Sequence, residues 1–184
     1  MKGLKDKVVI VTGGAGGIGS ATCRRLAEEG AKVAIFDMNI EAAEKLAKEI
    51  NGQKGQALAV QCDITQSDVV EQAVQQVETA LGPIDGLVNN AGWDIFKPFV
   101  KSNPQEWDKL IQINLVGMLN MHFAVLKGMM ERNSGSIVNI ASDAARVGSS
   151  GEAVYAACKG GLLAFSKTLA REHSRNNIKI NVIC

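Results

Sequence analysis

The sequence predicts an α/β fold, a doubly wound parallel sheet covered by helices on both faces in three layers, and three observations lead to this. Short apolar runs alternate with longer segments of helical period along the whole chain of 184 residues. The runs are continuous rather than alternating, as in strands that are buried on both faces. A glycine-rich turn follows the first run and opens the first helical segment.

The elements follow from these patterns in chain order. The apolar runs rich in Val, Ile and Ala are the predicted strands: Lys7–Thr12, Lys32–Asp37, Gln56–Cys62, Ile84–Asn89, Gly135–Ser142 and Ile178–Cys184. The segments of helical period between them are the predicted helices: Gly17–Glu29, Ile40–Asn51, Gln66–Leu81, Pro104–Arg132 and Glu152–Asn176. No repeat or linker divides the chain, so we expect one domain over residues 1–184. The sixth strand ends at the last residue, and we expect the chain to be truncated there, before the loop that would follow.

The composition argues against several functional classes. Hydrophobic residues make up 46% and charged residues 21% of the chain, and the formal net charge is +1. Without a basic tract, nucleic acid and anionic membranes are not expected partners. No run of about 18 apolar residues is present, so we expect no membrane-spanning helix. The N-terminus lacks the apolar core of a signal peptide.

The thiols and imidazoles are scattered along the chain. No two cysteines form a CxxC pair, and the two histidines are isolated. A metal site or a disulfide framework is therefore not expected. Four separate thiols fit a reducing cytoplasm, and we interpret them as small buried apolar residues. The residues concerned are Cys23, Cys62, Cys158 and Cys184, with His122 and His173.

The turn at 12–19 is the first candidate for ligand binding. Its glycines let the backbone turn sharply and approach a ligand closely. The helix that follows offers unpaired N–H groups to a diphosphate. A tight strand-to-helix turn without a ligand is the alternative. We expect dinucleotide binding here, by Gly13, Gly16, Gly17, Ile18 and Gly19.

Asp37 ends the second predicted strand, eighteen residues past Gly19. A carboxylate there accepts hydrogen bonds from the adenosine ribose hydroxyls and repels a 2′-phosphate. Met38 follows, and no Arg or Lys is adjacent to receive such a phosphate, which favours NAD over NADP. Asp63, with Ile64, follows the third strand and is expected near the adenine; a cap or turn aspartate is the alternative.

The segment Ser142–Lys159 carries the candidate chemistry. Tyr155 and Lys159 are four residues apart, one above the other on a helix. Because an ammonium favours the phenolate form, we expect the pKa of Tyr155 below its ordinary value of about 10. Tyr155 is therefore a candidate general acid and base. Ser142 stands thirteen residues earlier, at the end of the fifth predicted strand.

These motifs together resemble the short-chain dehydrogenase/reductase family. The turn TGGAGGIG at 12–19, the run NNAG at 89–92, Asn114, Ser142 and the run YAACK at 155–159 occur in that family's order. The resemblance covers the whole chain. It implies a Rossmann-type sheet with strand order 3-2-1-4-5-6, and interconversion of a secondary alcohol and a ketone with a nicotinamide cofactor.

The resemblance also implies a role for each catalytic residue. Tyr155 is the acid and base, and Lys159 favours its phenolate and bonds the nicotinamide ribose. Ser142 holds the substrate oxygen. Asn114 kinks its helix and holds a water in the proton relay to Lys159. The cofactor-binding residues implied in the run at 89–92 are Asn90 and Gly92.

Substrate recognition is expected from the loops after the fourth and fifth strands. The segments Trp93–Phe99 and Ser142–Lys159 further resemble enzymes of anaerobic benzoate degradation that oxidise 2-hydroxycyclohexane-1-carbonyl-CoA to its 2-oxo thioester. Arg146 and Lys97 are candidates for contacting coenzyme A phosphates, with surface ion pairs as the alternative. The expected substrate residues are Trp93, Asp94, Ser149 and Glu152.

Two alternative functions remain open. One is a 3-oxoacyl-thioester reductase acting on an acyl-carrier-protein or coenzyme A substrate. The other is a nucleotide-binding fragment without turnover. Whichever holds, the predicted helix Pro104–Arg132 carries more apolar side chains than one core face needs. In the family this helix pairs with a symmetry mate, so the resemblance implies a homotetramer.

Overall fold

The computed structural model describes residues 3–184 and contains the predicted parallel sheet. Its strands are β1 (Val8–Thr12), β2 (Lys32–Asp37), β3 (Gln56–Gln61), β4 (Ile84–Asn89), β5 (Gly135–Ile140) and β6 (Ile178–Ile183). Every neighbouring pair is parallel, and the order is β3-β2-β1-β4-β5-β6. The Rossmann-type fold class is confirmed. The strand order reverses between β1 and β4, where ligands bind in such sheets beyond the carboxyl ends of the strands.

The helices agree with the prediction in the first half of the chain and differ in the second. They are α1 (Gly17–Glu28), α2 (Ile40–Gly52), α3 (Ser67–Leu81), α4 (Pro104–Ile111), α5 (Gly117–Glu131), α6 (Ala144–Val147) and α7 (Ala153–Glu172). Short 3₁₀ turns occupy Phe99–Lys101 and Ser174–Asn176. The prediction missed α6 and the first of these turns, because segments of three or four residues are too short to show a helical period.

The predicted helix Pro104–Arg132 is wrong as a single regular helix. It begins at a capping box, in which the Asn103 side chain and Glu106 satisfy each other's backbone N–H groups. After α4 the backbone widens into a π-helical turn over Gln112–Val116 before α5 continues. Such π-turns are frequent at functional sites. Asn114, fully buried, lies in this one.

The core forms on both faces of the sheet because β1 and β2 bury every second side chain on each side. Ile10 and Phe36 face one side, where α3 and α5 cover them. Val11 and Ile35 face the other side, under α1 and α2. The continuous apolar runs that predicted these strands are thereby explained.

The α4–α5 rod, Pro104–Glu131, is the one helix among residues 3–184 that is long and apolar enough, by composition, to cross a membrane. Part of this apolarity serves the core, where Met121, Val125 and Met129 are buried against the sheet. Phe123 and Met130 remain exposed on the outer face of α5.

Candidate active site

The turn between β1 and α1 has no room for a Cβ at three glycines, Gly13, Gly14 and Gly19. Gly13 has a φ of +59°, and a Cβ there would lie 2.9 Å from the Cα of Ala91. A Cβ on Gly19 would collide with the carbonyl oxygen of Gly13. By contrast, a Cβ on Gly17 would meet nothing within 4 Å. Gly13 and Gly19 thus shape the turn, whereas Gly17 only leaves space in front of the helix.

The N-terminus of α1 is free to receive an anion. Its N-cap residue, Gly16, has no side chain to satisfy the first N–H groups, and the first turn contains no acidic residue. Those N–H groups carry the positive end of the helix dipole. Gly17 and Ile18 are exposed beside them. The cradle has the shape and polarity that a diphosphate needs.

A hydrogen-bonded latch joins this turn to the loop after β4. The side-chain amide of Asn90 donates to the carbonyl oxygens of Thr12 and Gly13, at 3.0 and 3.1 Å. The Thr12 hydroxyl accepts from the backbone N–H groups of Asn90 and Ala91, both at 3.0 Å. Asn90, one of the expected cofactor-binding residues, therefore fixes the glycine turn through its side-chain amide and its backbone N–H.

A cleft of about 920 Å³ opens beyond the carboxyl ends of β1 to β4. Every predicted cofactor residue lines it except Gly19, Tyr155 and Lys159. Asp37 lies at its wall, where the carboxylate accepts from the N–H groups of Ala15 and Asn39, both at 3.0 Å. This brings together the turn and the acidic residue that the sequence placed far apart.

Asp63 lines the same cleft, but one of its carboxylate oxygens is hydrogen-bonded within a local turn. That oxygen accepts from the backbone N–H and the hydroxyl of Thr65, at 2.9 and 2.8 Å. Asp63 is therefore a turn aspartate, as the alternative had it, and it lines the cleft as well. Ile64 is held nearby, because the Asn120 side chain donates to its carbonyl oxygen at 2.9 Å.

The structure brings Ser142, Tyr155 and Lys159 together at the carboxyl end of β5. Ser142 follows β5 and hydrogen-bonds to the Tyr155 side chain. Lys159 is only 2% exposed, and its ammonium donates to the carbonyl oxygen of Ile140 at 2.9 Å. The same nitrogen lies 5.6 Å from the centre of the Tyr155 ring. A Cβ on Gly92, at the edge of the cleft, would lie 3.5 Å from it.

The expected direction of the Tyr155 pKa is wrong in this structure. Burial raises the pKa of Tyr155, and the charge of Asp94 raises it further. The hydrogen bond from Ser142 lowers it, and Glu152 adds a smaller increase. Burial also lowers the pKa of Lys159 to about 8. The ammonium therefore does not outweigh burial and the two carboxyl groups around the phenol.

Asn114 connects the π-turn to the loop after β4. Its side-chain amide donates to the carbonyl oxygens of Trp93 and Leu110, at 2.6 and 3.0 Å, and its oxygen accepts from the Trp93 N–H at 3.2 Å. A π-turn is a place at which helices commonly kink, as the resemblance implies for Asn114. A Cβ on Gly92 would lie 3.0 Å from the Asn114 oxygen. Gly92 thus has a packing reason to lack a side chain.

The expected substrate residues divide between two places. Trp93 faces the large cleft, where the Lys109 ammonium lies 4.1 Å from its ring centre. Asp94 and Glu152 line a second cavity, of about 10 Å³, together with Tyr155. That volume accommodates about one water molecule. Ser149 is exposed and hydrogen-bonds to Glu152.

The two candidate cations for coenzyme A are engaged in ion pairs. Lys97 contacts Glu106 at 2.6 Å, and Arg146 contacts Asp143 at 3.1 Å. Both side chains thus form the ion pairs that were the alternative to contacts with coenzyme A. Among residues 3–184, no three His, Cys, Asp or Glu side chains are grouped so as to hold a metal ion.

A buried polar network lies behind the site, and the sequence analysis did not predict it. Asn89 on β4 donates to Asn139 on β5 at 2.9 Å. Asn139 in turn donates to the Ser166 hydroxyl on α7 at 2.8 Å and contacts His122 Nε2 at 3.2 Å. His122 Nδ1 donates to the Met118 carbonyl oxygen at 2.7 Å, so Nε2 is the acceptor. Because the network joins β4, β5, α5 and α7, it fixes the elements that carry the site.

Two further residues were missed, one behind the glycine turn and one in the lining of the cleft. Thr12 ends β1 with a buried hydroxyl, and a polar residue closing an apolar strand was the signal available in the sequence. Lys109 reaches Trp93 from α4, and nothing in the spacing of these two residues indicates their contact.

Comparison with known proteins agrees with this geometry. The profile of the short chain dehydrogenase family matches residues 7–184. A D-threitol dehydrogenase of Mycolicibacterium smegmatis is 39% identical over 180 residues, which are 98% of this chain and 69% of that protein. A 3-oxoacyl-(acyl-carrier-protein) reductase of Thermotoga maritima is 37% identical over 98% of this chain and 73% of that protein. The structure of an NAD⁺-bound xylitol dehydrogenase superposes with a TM-score of 0.95 at 37% identity, covering 98% of this chain and 70% of that one.

Proposed function

The chain belongs to the short-chain dehydrogenase family, and from that premise we propose that this oxidoreductase interconverts a secondary alcohol and a ketone with NAD. The observation that carries the proposal is the meeting of Ser142, Tyr155 and Lys159 beside the cleft that begins at the glycine turn. A nicotinamide cofactor fits that cleft, because the glycine cradle is shaped for close approach and the α1 N-terminus is uncapped. The cofactor supplies the hydride acceptor or donor.

Tyr155 moves the proton in this proposal. Its phenol oxygen gives a proton to the ketone oxygen in reduction and takes it from the alcohol in oxidation. Since the pKa of Tyr155 is raised, the protonated phenol dominates at neutral pH, and the residue is prepared for reduction. Ser142 hydrogen-bonds to Tyr155 and holds the substrate oxygen near it.

Lys159 and Asn114 position the cofactor and the loop after β4 for this proton transfer. Lys159 is anchored at Ile140, and its amine adjoins Gly92 at the edge of the cleft. From there it bonds the nicotinamide ribose in our proposal. Asn114 holds the backbone of Trp93, so that it positions the loop between cofactor and substrate. Its side-chain oxygen and the Lys159 nitrogen both lie near Gly92, which supports the proposed proton relay.

The preference for NAD over NADP rests on Asp37. Its carboxylate lies at the wall of the cleft, next to the exposed side chain of Met38. A 2′-phosphate at that wall would meet a negative charge, whereas ribose hydroxyls would meet an acceptor. We propose NAD for this reason, and the NAD⁺-bound xylitol dehydrogenase is a similar structure in which that cofactor is present.

For the substrate we propose 2-hydroxycyclohexane-1-carbonyl-CoA, which would be oxidised to the 2-oxo thioester in benzoate degradation. Trp93 and Phe96 supply apolar surface in the loop after β4 that suits a ring. A 3-oxoacyl-thioester reductase is the second candidate, favoured by the similarity to the Thermotoga maritima enzyme. Because the coenzyme A candidates Lys97 and Arg146 are engaged in ion pairs, phosphate contacts do not enter the proposal.

We also propose a homotetramer and a cytoplasmic location. The outer face of α5 leaves Phe123 77% exposed and Met130 39% exposed, an apolar surface suited to a symmetry mate. All four cysteines are free, and three of them are buried, which fits a reducing compartment; Cys184 is exposed. Light scattering tests the assembly, and a monomeric mass would contradict the tetramer.

A substrate panel tests the proposed function. The panel pairs cyclic and linear hydroxyacyl-CoA thioesters with sugar alcohols, each assayed with NAD and with NADP. We expect turnover of a neutral secondary alcohol with NAD, fastest for the cyclic thioester. Fastest turnover of linear 3-hydroxyacyl thioesters with NADP, which is the reverse of 3-oxoacyl reduction, would favour the second candidate. No turnover of any alcohol or ketone would contradict the proposal.

A further inference from the structure

Two carboxyl groups, those of Asp94 and Glu152, line the small cavity that Tyr155 also lines. Asp94 belongs to the loop after β4, and Glu152 is the N-cap residue of α7. Glu152 precedes Tyr155 by three residues, so the two side chains are neighbours on the first turn of the helix. The two loops are tied together, because the Lys97 N–H donates to the Gly151 carbonyl oxygen at 2.8 Å. The carboxyl groups of Asp94 and Glu152 hydrogen-bond to each other.

A hydrogen bond between two carboxyl groups needs one proton, and when the pair holds one, Asp94 is the carboxyl group that carries it. Burial and the bond to Glu152 raise the pKa of Asp94. Hydrogen bonds from Ser149 and from Asp94 lower the pKa of Glu152. The N-terminus of α7 further favours a charged Glu152. The pair therefore keeps a negative charge whether it holds one proton or none.

Among residues 3–184, neither Asp94 nor Glu152 forms an ion pair with a basic side chain. Lys97 lines the same cavity, but its ammonium is bound to Glu106, and Arg146 is bound to Asp143. Lys159 lies behind Tyr155, where its ammonium is directed to the Ile140 carbonyl oxygen. A substrate that approaches the phenol from the cavity side thus meets an uncompensated carboxylate.

We propose that Asp94 and Glu152 set the charge specificity of the site, so that it accepts alcohols and ketones with a neutral neighbouring group and rejects those with a free carboxylate. This inference rests on the proposed function and narrows its substrate class. A neutral thioester or ester group next to the reacting carbon can lie against the two carboxyl groups without repulsion. A hydroxyl group at that place can also donate a hydrogen bond to them. A carboxylate at the same place is repelled by the like charge of the pair.

A matched pair of probes tests this: 2-hydroxycyclohexane-1-carboxylate and its methyl ester. The dissociation constant of each is measured by calorimetry in the presence of NAD, and kcat/KM by NADH formation. We expect the wild-type protein to prefer the ester by about a hundredfold in both quantities, and Asp94→Asn and Glu152→Gln each to reduce that preference by about tenfold. Asp143→Asn is the control, since it removes an exposed carboxylate of the next loop that is paired with Arg146. An ester preference that is absent, or that Asp94→Asn and Glu152→Gln leave unchanged, would overturn the inference.

A second measurement detects the effect of the carboxyl pair on the ionisation of Tyr155 and needs no turnover. Tyr155 is the only tyrosine in the chain, so the ultraviolet absorbance of tyrosinate reports its ionisation alone. We expect Asp94→Asn to lower the midpoint of this titration by about half a pH unit or more, and Asp143→Asn to leave it in place. A midpoint that does not move would contradict the inference. If neither probe is oxidised but the binding preference and the midpoint respond as expected, the proposed function fails and the charge selection stands.

Discussion

The side-chain nitrogen of Lys159 lies 5.6 Å from the centre of the Tyr155 ring and donates to the Ile140 carbonyl oxygen at 2.9 Å. The lysine is held by the strand end rather than by the phenol, and it is almost completely buried. Burial lowers the pKa of Lys159 to about 8 and raises that of Tyr155. The two shifts have one cause and bring the lysine close to the pH range in which the enzyme would work.

We predict that Lys159→Met abolishes turnover but stabilises the fold at neutral pH. In the unfolded chain the lysine has its ordinary pKa of 10.5, so between about pH 8 and about 10.5 the unfolded state binds more protons. The free energy of unfolding therefore rises across that window by about 3 kcal/mol, and this gain is absent below it. Methionine at position 159 avoids the cost of the buried charge but loses the hydrogen bond to Ile140. We therefore expect the free energy of unfolding to be about 1–2 kcal/mol higher than that of wild type near pH 7.

Urea unfolding at about pH 7 and about pH 10 measures this, with Lys167→Met as the control on the exposed side of the same helix. The control should keep the wild-type pH dependence. A Lys159→Met protein that is less stable than wild type at neutral pH would contradict the prediction.

The buried imidazole of His122 predicts a loss of stability in acid. Burial lowers the pKa of His122 below its ordinary value of 6.5, whereas the unfolded chain takes up the proton near that value. The free energy of unfolding therefore falls as the pH drops below about 6.5. His122→Gln replaces the imidazole with an amide that can hydrogen-bond within the polar network. The free energy of unfolding of this variant should fall less steeply in acid. The other histidine, changed by His173→Gln, is the control, and equal slopes in the two variants would refute the role of His122.

Two glycines of the turn should behave differently when changed to alanine. Gly19→Ala places a Cβ on the Gly13 carbonyl oxygen, so we expect a loss of stability of about 2 kcal/mol or more. Gly17→Ala has open space and a helical position, so its stability should stay within about 1 kcal/mol of wild type. It should nevertheless weaken NAD binding about tenfold, because its methyl group enters the cradle. Thermal unfolding and calorimetric NAD titration separate these effects, and equal destabilisation by both changes would be inconsistent with the geometry.

Asp37 should control the choice between NAD and NADP. Asp37→Ala removes the carboxylate at the wall of the cleft, so the ratio of kcat/KM for NAD to that for NADP should fall at least about tenfold. Glu41→Gln, an exposed acid in the first turn of α2, is the control and should leave the ratio within about threefold. If Asp37→Ala keeps the wild-type ratio, another residue determines the preference.

The sequence was sufficient for the sheet, the glycine turn and the spacing of Tyr155 and Lys159, because each depends on patterns within a few residues. The π-turn at Asn114 was not visible, since one additional residue in a turn does not disturb an apolar period over a long helix. The raised pKa of Tyr155 was also missed. The pKa is raised first by burial and then by Asp94, which lies 61 positions away in the sequence, in a loop that is hydrogen-bonded to the loop before α7.

The same reason explains the network of Asn89, Asn139, His122 and Ser166. The four residues lie in four different elements, and nothing local indicates that all of them point to one place. Their partners are set by the sheet order, which brings β4 beside β5, with α5 packed on β4 and α7 on β6.

The central claim, that Tyr155 transfers the proton in a nicotinamide-dependent reaction, is tested most directly by Tyr155→Phe. Phenylalanine keeps the ring and its packing but removes the only phenol in the chain. We measure NAD binding by calorimetry and NADH formation with the neutral cyclic alcohol that the wild-type protein oxidises. The account predicts NAD affinity within about threefold of wild type and a rate at least about a thousandfold lower. A Tyr155→Phe protein that still oxidises the alcohol at a comparable rate would contradict it, and a wild-type chain that binds NAD but oxidises no alcohol would support the fragment without turnover instead.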